Sequence, residues 1–275
     1  MPQGRSLHIA LNRVDPAAYG GWSGDLMACE ADAADMRAIC RKSGIATTSL
    51  LTKKATSKAV LAALDKAAAE LVAGDLFVVT YSGHGGQIPD KNADEASDGL
   101  DETWVLYDRQ VLDDELYQRW ARFAPGVRIV VLSDSCHSGS VVKAQLEAGA
   151  NPAVLADVFS GGRFMPLEAN QRDIAEREEL YDEVRAGTPA EGAVPLRARV
   201  LLLSGCQDNQ TSMDGPENGA FTGALLRVWR NGAYKGGYRR FFTTIKTTMP
   251  PWQSPNYLAL NDPKRLFNAE RPFTV

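Results

Sequence analysis

A chain of 275 residues with 44% apolar content can bury one large α/β core or two small ones, and nothing in it forces a split. A net charge of −4, a pI near 5.5 and no dense run of Lys or Arg argue against nucleic acid as a partner. No apolar run nears the ~18 residues of a membrane span, the first ten residues lack a signal-peptide pattern, and the four cysteines form no CxxC pair. The expectation is a cytoplasmic protein with reduced thiols and no membrane partner.

In chain order, Ser6 to Leu11 reads as a first strand, with His8 a satisfied core residue inside it. The Pro- and Gly-containing loop from Asp15 to Gly24 leads into a helix from about Asp25 to Ser43, on which Leu26, Cys29, Met36 and Cys40 recur at helical spacing as packing residues. Thr47 to Leu51 is a short strand, and Ser57 to Ala73 an Ala-rich amphipathic helix closed by Gly74. Asp75-Leu-Phe-Val-Val-Thr-Tyr-Ser82 is a buried strand that ends at Gly83-His84-Gly85-Gly86. Strand and helix alternate, as in a parallel sheet with right-handed crossovers.

An acidic run follows, with Asp90, Asp94, Glu95, Asp98, Asp101 and Glu102 against Lys91. From Asp90 to Asp101 it lacks the sixth-position glycine, the twelfth-position glutamate and the flanking helices of an EF-hand, so it reads as a solvated loop. Trp104 to Tyr107 is a short strand, and Asp113-Asp-Glu115 starts a helix that runs to about Phe123 and ends at Pro125-Gly126.

The stretch that organises the rest is Arg128-Ile-Val-Val-Leu-Ser-Asp-Ser-Cys-His-Ser-Gly139, a second buried strand that stops abruptly in small and polar residues. Parallel sheets place their sites at the C-terminal strand edge, so neighbouring strands would bring His84 and Cys136 together. A thiol with a reference pKa near ~8.5 needs a proton acceptor to act as a nucleophile, and His84 can be one. The glycines around it free a backbone N–H, that of Gly85, to meet a developing oxyanion beside the N–H of Cys136. From Lys143 to Pro195 no strand is evident; Gly161-Gly162 marks a loop and Leu167 to Ala186 a polar helix. So long an excursion suggests a lid, a regulatory insertion or a processing segment, with Lys143, Arg163, Arg172, Arg177 and Arg185 expected on exposed chain. Arg199 to Leu203 resumes the core, Phe221 to Arg230 and Tyr238 to Thr248 are helices, and Gln253 to Leu260 carries a closing strand.

Cys136 lies 52 residues after His84, close to the His-to-Cys spacing of caspases. With Tyr81-Ser-Gly-His-Gly85, Asp134-Ser-Cys-His-Ser-Gly139 and the Gln-Asp-Asn-Gln segment after Cys206, the chain resembles the metacaspases, caspase-like peptidases found outside animals and here most like the bacterial type. The resemblance runs from Ser6 to Leu260 apart from the insertion at 143–195. It implies one α/β domain over 1–275 with the three-layer caspase-haemoglobinase fold, a mostly parallel sheet of about six strands flanked by helices. It also implies a cysteine endopeptidase acting on protein or peptide substrates through Cys136 and His84. By the same resemblance Asp32, Asp134 and Asp208 line the primary specificity pocket, and pocket carboxylates select Arg or Lys before the cut and allow self-processing in the insertion. Many metacaspases take calcium, for which Asp98, Asp113 and Asp114 are the nearest matches. The family aspartate seven residues after the nucleophile is here Lys143, so no cofactor is expected to be required and any calcium site to be weak. Two other functions stay open: a caspase-like effector in defence or cell death gated by a small-molecule or protein activator, and an inactive scaffold that keeps the dyad.

Overall fold

The computed structural model describes residues 1–91, 99–135, 162–189, 193–206, 213–250 and 253–275. The strands β1 (Gly4–Ala10), β2 (Ala46–Leu51) and β3 (Leu76–Ser82) alternate with the helices α1 (Cys29–Lys42) and α2 (Ser57–Glu70). A small antiparallel sheet follows, made of β4 (Gly85–Pro89), β5 (Leu100–Val105) and β6 (Gln110–Leu112), and then α3 (Asp113–Ala121) and β7 (Arg128–Asp134). The helices α4 (Leu167–Glu176) and α5 (Glu178–Gly187) lie in the insertion. The chain closes with β8 (Arg199–Ser204), α6 (Ala220–Trp229), α7 (Tyr238–Thr248), β9 (Asn256–Leu260) and the single turn α8 (Leu266–Ala269).

The main sheet has the order β2-β1-β3-β7-β8-β9 and is parallel throughout except for β9. Its central strands are buried on both faces, which is why they read as unbroken apolar runs. Alternation then sorts the side chains. Phe77, Val79, Tyr81, Ile129 and Val131 join Leu61, Leu64, Leu116 and Trp120 on one side, while Val78, Val130 and Leu132 join Met36, Phe221, Leu225 and Phe241 on the other. Two apolar layers sandwich the sheet, and the expected six-stranded, mostly parallel architecture is what the chain forms. Extending the same alternation, Ser82 and Asp134 emerge at the strand ends on the side of α1 and α6.

Several boundaries differ from the sequence reading. α1 begins at Cys29 rather than Asp25, because the Asp214 carboxylate takes the N–H groups of Met27 and Ala28 and ends the loop there. α2 ends at Glu70, since Leu71 turns extended to bury its side chain. The acidic stretch is only partly loop: the first half of β5 comes from it, with Asp101 buried against Arg185. The strand read at Trp104–Tyr107 is the end of β5 displaced by two residues. The single helix read over Leu167–Ala186 is two, divided at Arg177, whose side chain reaches Asp108 and covers the Tyr19 ring.

α4 and α5 are docked on the small sheet, α5 through Tyr181 with most of its other residues exposed. Gln110 donates to Asn170 and Asp173, Tyr181 donates to Asp173, and Asn170 donates to the Gln87 carbonyl, all buried. A closed polar network of this kind fixes one arrangement of helices on the small sheet.

Candidate active site

β3 and β7 pair in parallel with Ser82 opposite Asp134, so the segments that follow, to His84 and to Ser135, leave the sheet at one edge. Cys136 is the next residue after Ser135; it lies outside the described residues, as do Asp98, Lys143 and Asp208. Directly beneath, the Cys206 thiol donates to the Ser135 carbonyl at 3.1 Å, so Cys206 supports the strand end as a packing residue.

His84 is buried beside Trp22, with ring centroids 4.9 Å apart. Its Nε2 stands 3.0 Å from the Gly24 carbonyl. A carbonyl only accepts, so Nε2 carries the proton and Nδ1 is left with the lone pair. Nδ1 is buried and has no hydrogen-bond partner among the described residues. Burial pushes the imidazole down to about 4, and the Arg163 charge pushes the same way against the opposing carbonyl of Gly24 and backbone of Phe164. At neutral pH His84 is therefore a neutral base of one tautomer. Gly24 was not singled out in the sequence. Its φ of +54° and the absence of a Cβ, which would sit 3.1 Å from the His84 ring, are what let the loop present that carbonyl.

The aspartates form a buried cluster. Asp32, in the first turn of α1, accepts from Gly219 N–H and Asn218 through one oxygen and from Ser82 at 2.7 Å through the other. Asp134 accepts from the N–H and hydroxyl of Thr222 at 2.9 and 2.8 Å. Both thus occupy the N-terminal end of α6, which has no side-chain cap of its own and whose free N–H groups favour anions. Gly219 is required here, because a Cβ would come within 2.5 Å of Asp134 and Arg163. Burial, then the neighbouring Asp134, push the Asp32 carboxyl up to about 6 against the opposing pull of Arg163.

Arg163 overturns one expectation: it is not on exposed chain. Its side chain is 0% exposed and lies among Asp32, Asp134 and Asp214 at 2.8, 3.3 and 2.9 Å. Arg185 is also mostly buried, against Asp101 and Asp182. Asp214 was missed in the sequence, where it is one acid in a turn; nothing local distinguishes it. The Gly85 N–H, expected to face an oxyanion, donates to the Arg163 carbonyl at 3.1 Å. Asp113 and Asp114 sit in the first turn of α3, and among the described residues no group of three or more His, Cys, Asp or Glu could hold a metal ion.

The family model described as the caspase domain, Peptidase C14, matches residues 14–267. The chain belongs to the caspase-domain peptidase family. Among curated proteins this caspase-domain chain is similar to Metacaspase-1 of Mycosarcoma maydis, 34% identical over 55% of this chain and 42% of that protein. Metacaspase-1 of Schizosaccharomyces pombe is 32% identical over 57% of this chain and 41% of that one. The chain thus spans about two fifths of the length of these relatives. Among solved structures, protein GSU0716 from Geobacter sulfurreducens is 50% identical over 100% of this chain and 99% of that one, with a TM-score of 0.89. Caspase-1 from Spodoptera frugiperda shares the fold, with 11% identity over 94% of this chain and 86% of that one and a TM-score of 0.53. No helix among the described residues is long and apolar enough to cross a membrane.

Proposed function

We propose that this chain is a cysteine endopeptidase that cuts proteins and peptides after Arg or Lys, with Cys136 as nucleophile and His84 as its base. The observation that carries the reading is the buried carboxylate cluster of Asp32, Asp134 and Asp214 around a guanidinium, next to an imidazole held in its basic tautomer by Gly24. A desolvated pocket of this sign rejects an acidic side chain and accepts a basic one. In the reaction, Nδ1 of His84 takes the Cys136 thiol proton as sulfur adds to the scissile carbonyl, and then gives it to the leaving amine. Water activated by the same nitrogen hydrolyses the thioester. The N–H groups of Gly85 and Cys136 hold the oxyanion; loss of one such donor elsewhere costs ~10²–10³ in rate. No metal enters this route, and self-processing within 143–195 and a cytoplasmic location go with it.

The filled pocket also favours a second reading, a caspase-domain effector held off until an activator gates it. Fluorogenic peptides that differ in the residue before the cut, given to wild type and Cys136→Ala with and without calcium or cell extract, separate the two. The peptidase cleaves Arg and Lys peptides unaided and loses this in Cys136→Ala; cleavage after Asp, or turnover retained by Cys136→Ala, refutes it. The gated effector turns over only after extract is added.

A further inference from the structure

A cavity of about 290 Å³ opens on the face of the main sheet that carries Val131 and Val200, the face opposite to the Asp32 and Asp134 cluster. Trp104 of β5, Leu116 and Trp120 of α3, Leu202 of β8, and Leu258 and Leu260 of β9 make its apolar wall. Its acids are Glu102 and Asp113, and no Lys, Arg or His lines it among the described residues. Leu202 and Leu260 are half-buried and Leu258 is 43% exposed, so the apolar side of β8 and β9 is only partly covered here. Interiors are normally packed shut, because uncovered methyl groups forgo both burial and dispersion contacts. A space left open, apolar in its body and with two acids in its wall, suits an occupant of opposite charge with an apolar body.

The same wall backs the strand ends from which the candidate active site is built. Trp104 stacks on Tyr81 with ring centroids 4.6 Å apart and 7° between the planes, and the Tyr81 hydroxyl donates to the His84 carbonyl at 2.6 Å. The Val105 N–H, next in the chain to Trp104, donates to that carbonyl too, at 3.1 Å. Ser133, also in the lining, shares a hydrogen bond of 2.8 Å with the Ser135 hydroxyl just beyond β7. An occupant that packs on Trp104 therefore touches the ring that holds the His84 backbone in place. It biases that arrangement to the extent that it binds one form of it better than another.

We propose that this cavity is an effector site for a small organic cation, a primary ammonium on a short chain from an aromatic body, and that its occupancy is felt at His84 through Trp104 and Tyr81. The inference goes beyond the peptidase reading and does not depend on it, since no arm of its test measures turnover. It assigns a second site, on the other face of the sheet, and the chemistry of its ligand.

The probe is tryptamine, with tryptophol as its neutral isostere and indole-3-acetate as its anionic counterpart. Each is titrated by calorimetry into the full chain as wild type, Leu202→Phe, Leu258→Trp and the double variant Glu102→Gln, Asp113→Asn, with thermal melts as a folding check. Leu258 is exposed, so Leu258→Trp covers the mouth of the cavity without entering the core. Tryptamine is expected to bind wild type with a Kd of about 1 mM or tighter, as a well-buried ligand of its size does. It should bind roughly tenfold more tightly than indole-3-acetate, with tryptophol between them. Both filling variants should weaken all three ligands several-fold, and the double variant should bring tryptamine and indole-3-acetate to within about twofold of each other. In histidine side-chain NMR spectra, the His84 signals, identified by their loss in His84→Gln, should shift as tryptamine saturates wild type and stay fixed in Leu258→Trp. Tryptamine binding weaker than about 1 mM, equal to that of indole-3-acetate, or unchanged in both filling variants overturns the inference. Binding that leaves the His84 signals unmoved overturns it as well, because such an occupant is no effector. A dimer by sedimentation that Leu258→Trp breaks and tryptamine does not would give this face to a second copy and likewise overturn it.

Discussion

Replacing Arg163 with Met in a Cys136→Ala background, where the chain stays intact, removes the only positive charge from a pocket holding Asp32, Asp134 and Asp214, among the described residues. The volume is nearly kept, so the cost is electrostatic. Breaking a buried ion pair from one side costs about 3–5 kcal/mol, and a chain of this size loses roughly 2 °C of Tm per kcal/mol, which together give a fall of about 6–10 °C at pH 8. The pH dependence identifies the cause. Asp32 is already pushed up to about 6 with the arginine present, by burial first and by Asp134 second. Without the guanidinium the folded state holds a proton that the unfolded chain, titrating near 3.8, gives up. A raised carboxyl pKa destabilises above that pKa and ceases to do so as pH falls toward the unfolded value, so the gap between the two proteins should close from pH 8 to pH 5. Groups away from Arg163 are shared and cancel in the difference, while His84, which the same charge pushes down, is less depressed without it and closes the gap in the same direction as pH falls. Thermal melts of both proteins at half-unit pH steps read it directly. A gap under about 2 °C, or one that is flat with pH, would refute the electrostatic account of the pocket.

Three further outcomes are expected. His84→Gln keeps an amide donor for the Gly24 carbonyl but has no base, so Tm should hold within a few degrees while turnover of an arginyl peptide falls ~10²–10⁴-fold; near-normal turnover would count against a base role. His8, wedged between the Ser6 and Thr80 hydroxyls, and His84 are pushed down to about 3 and about 4, chiefly by burial. The stability each contributes is complete above pH 6.5 and is lost as pH falls toward those values, on the order of 3 kcal/mol for each by pH 4. A flat urea midpoint between pH 7 and pH 4 would contradict that. Calcium titrated into chelator-treated enzyme should change peptide turnover little at micromolar levels, because Lys143 adds a cation where carboxylates are wanted and Asp101 is engaged by Arg185; a large rise abolished by Asp113→Ala would show otherwise.

The central strands were legible because a parallel sheet covered on both faces selects unbroken apolar runs, and Leu76–Ser82, Arg128–Asp134 and Arg199–Ser204 are such runs. The small sheet was not. Gly85-Gly-Gln-Ile-Pro89 carries little strand propensity, and its pairing is stabilised by the stack of Tyr81 on Trp104 at 4.6 Å and by Gln110, contacts from elsewhere in the chain. Asp32 and Asp134 were readable because they lie within motifs around a strand end and a helix start. Asp214 and the burial of Arg163 were not, since an arginine after two glycines looks exposed until a fold brings acids from three distant segments around it. The start of α1 shows the same limit: the residue that sets it is Asp214, 187 residues away.

The account is tested most directly by a peptidyl-arginine chloromethyl ketone applied to incubated wild-type protein, with intact and tryptic masses read against an aspartyl analogue. The account predicts a single adduct on Cys136, formed much faster with the arginyl reagent than with the aspartyl one and lost in His84→Gln. Labelling of Cys136 no faster than of Cys29, Cys40 or Cys206, or preference for the aspartyl reagent, would contradict it.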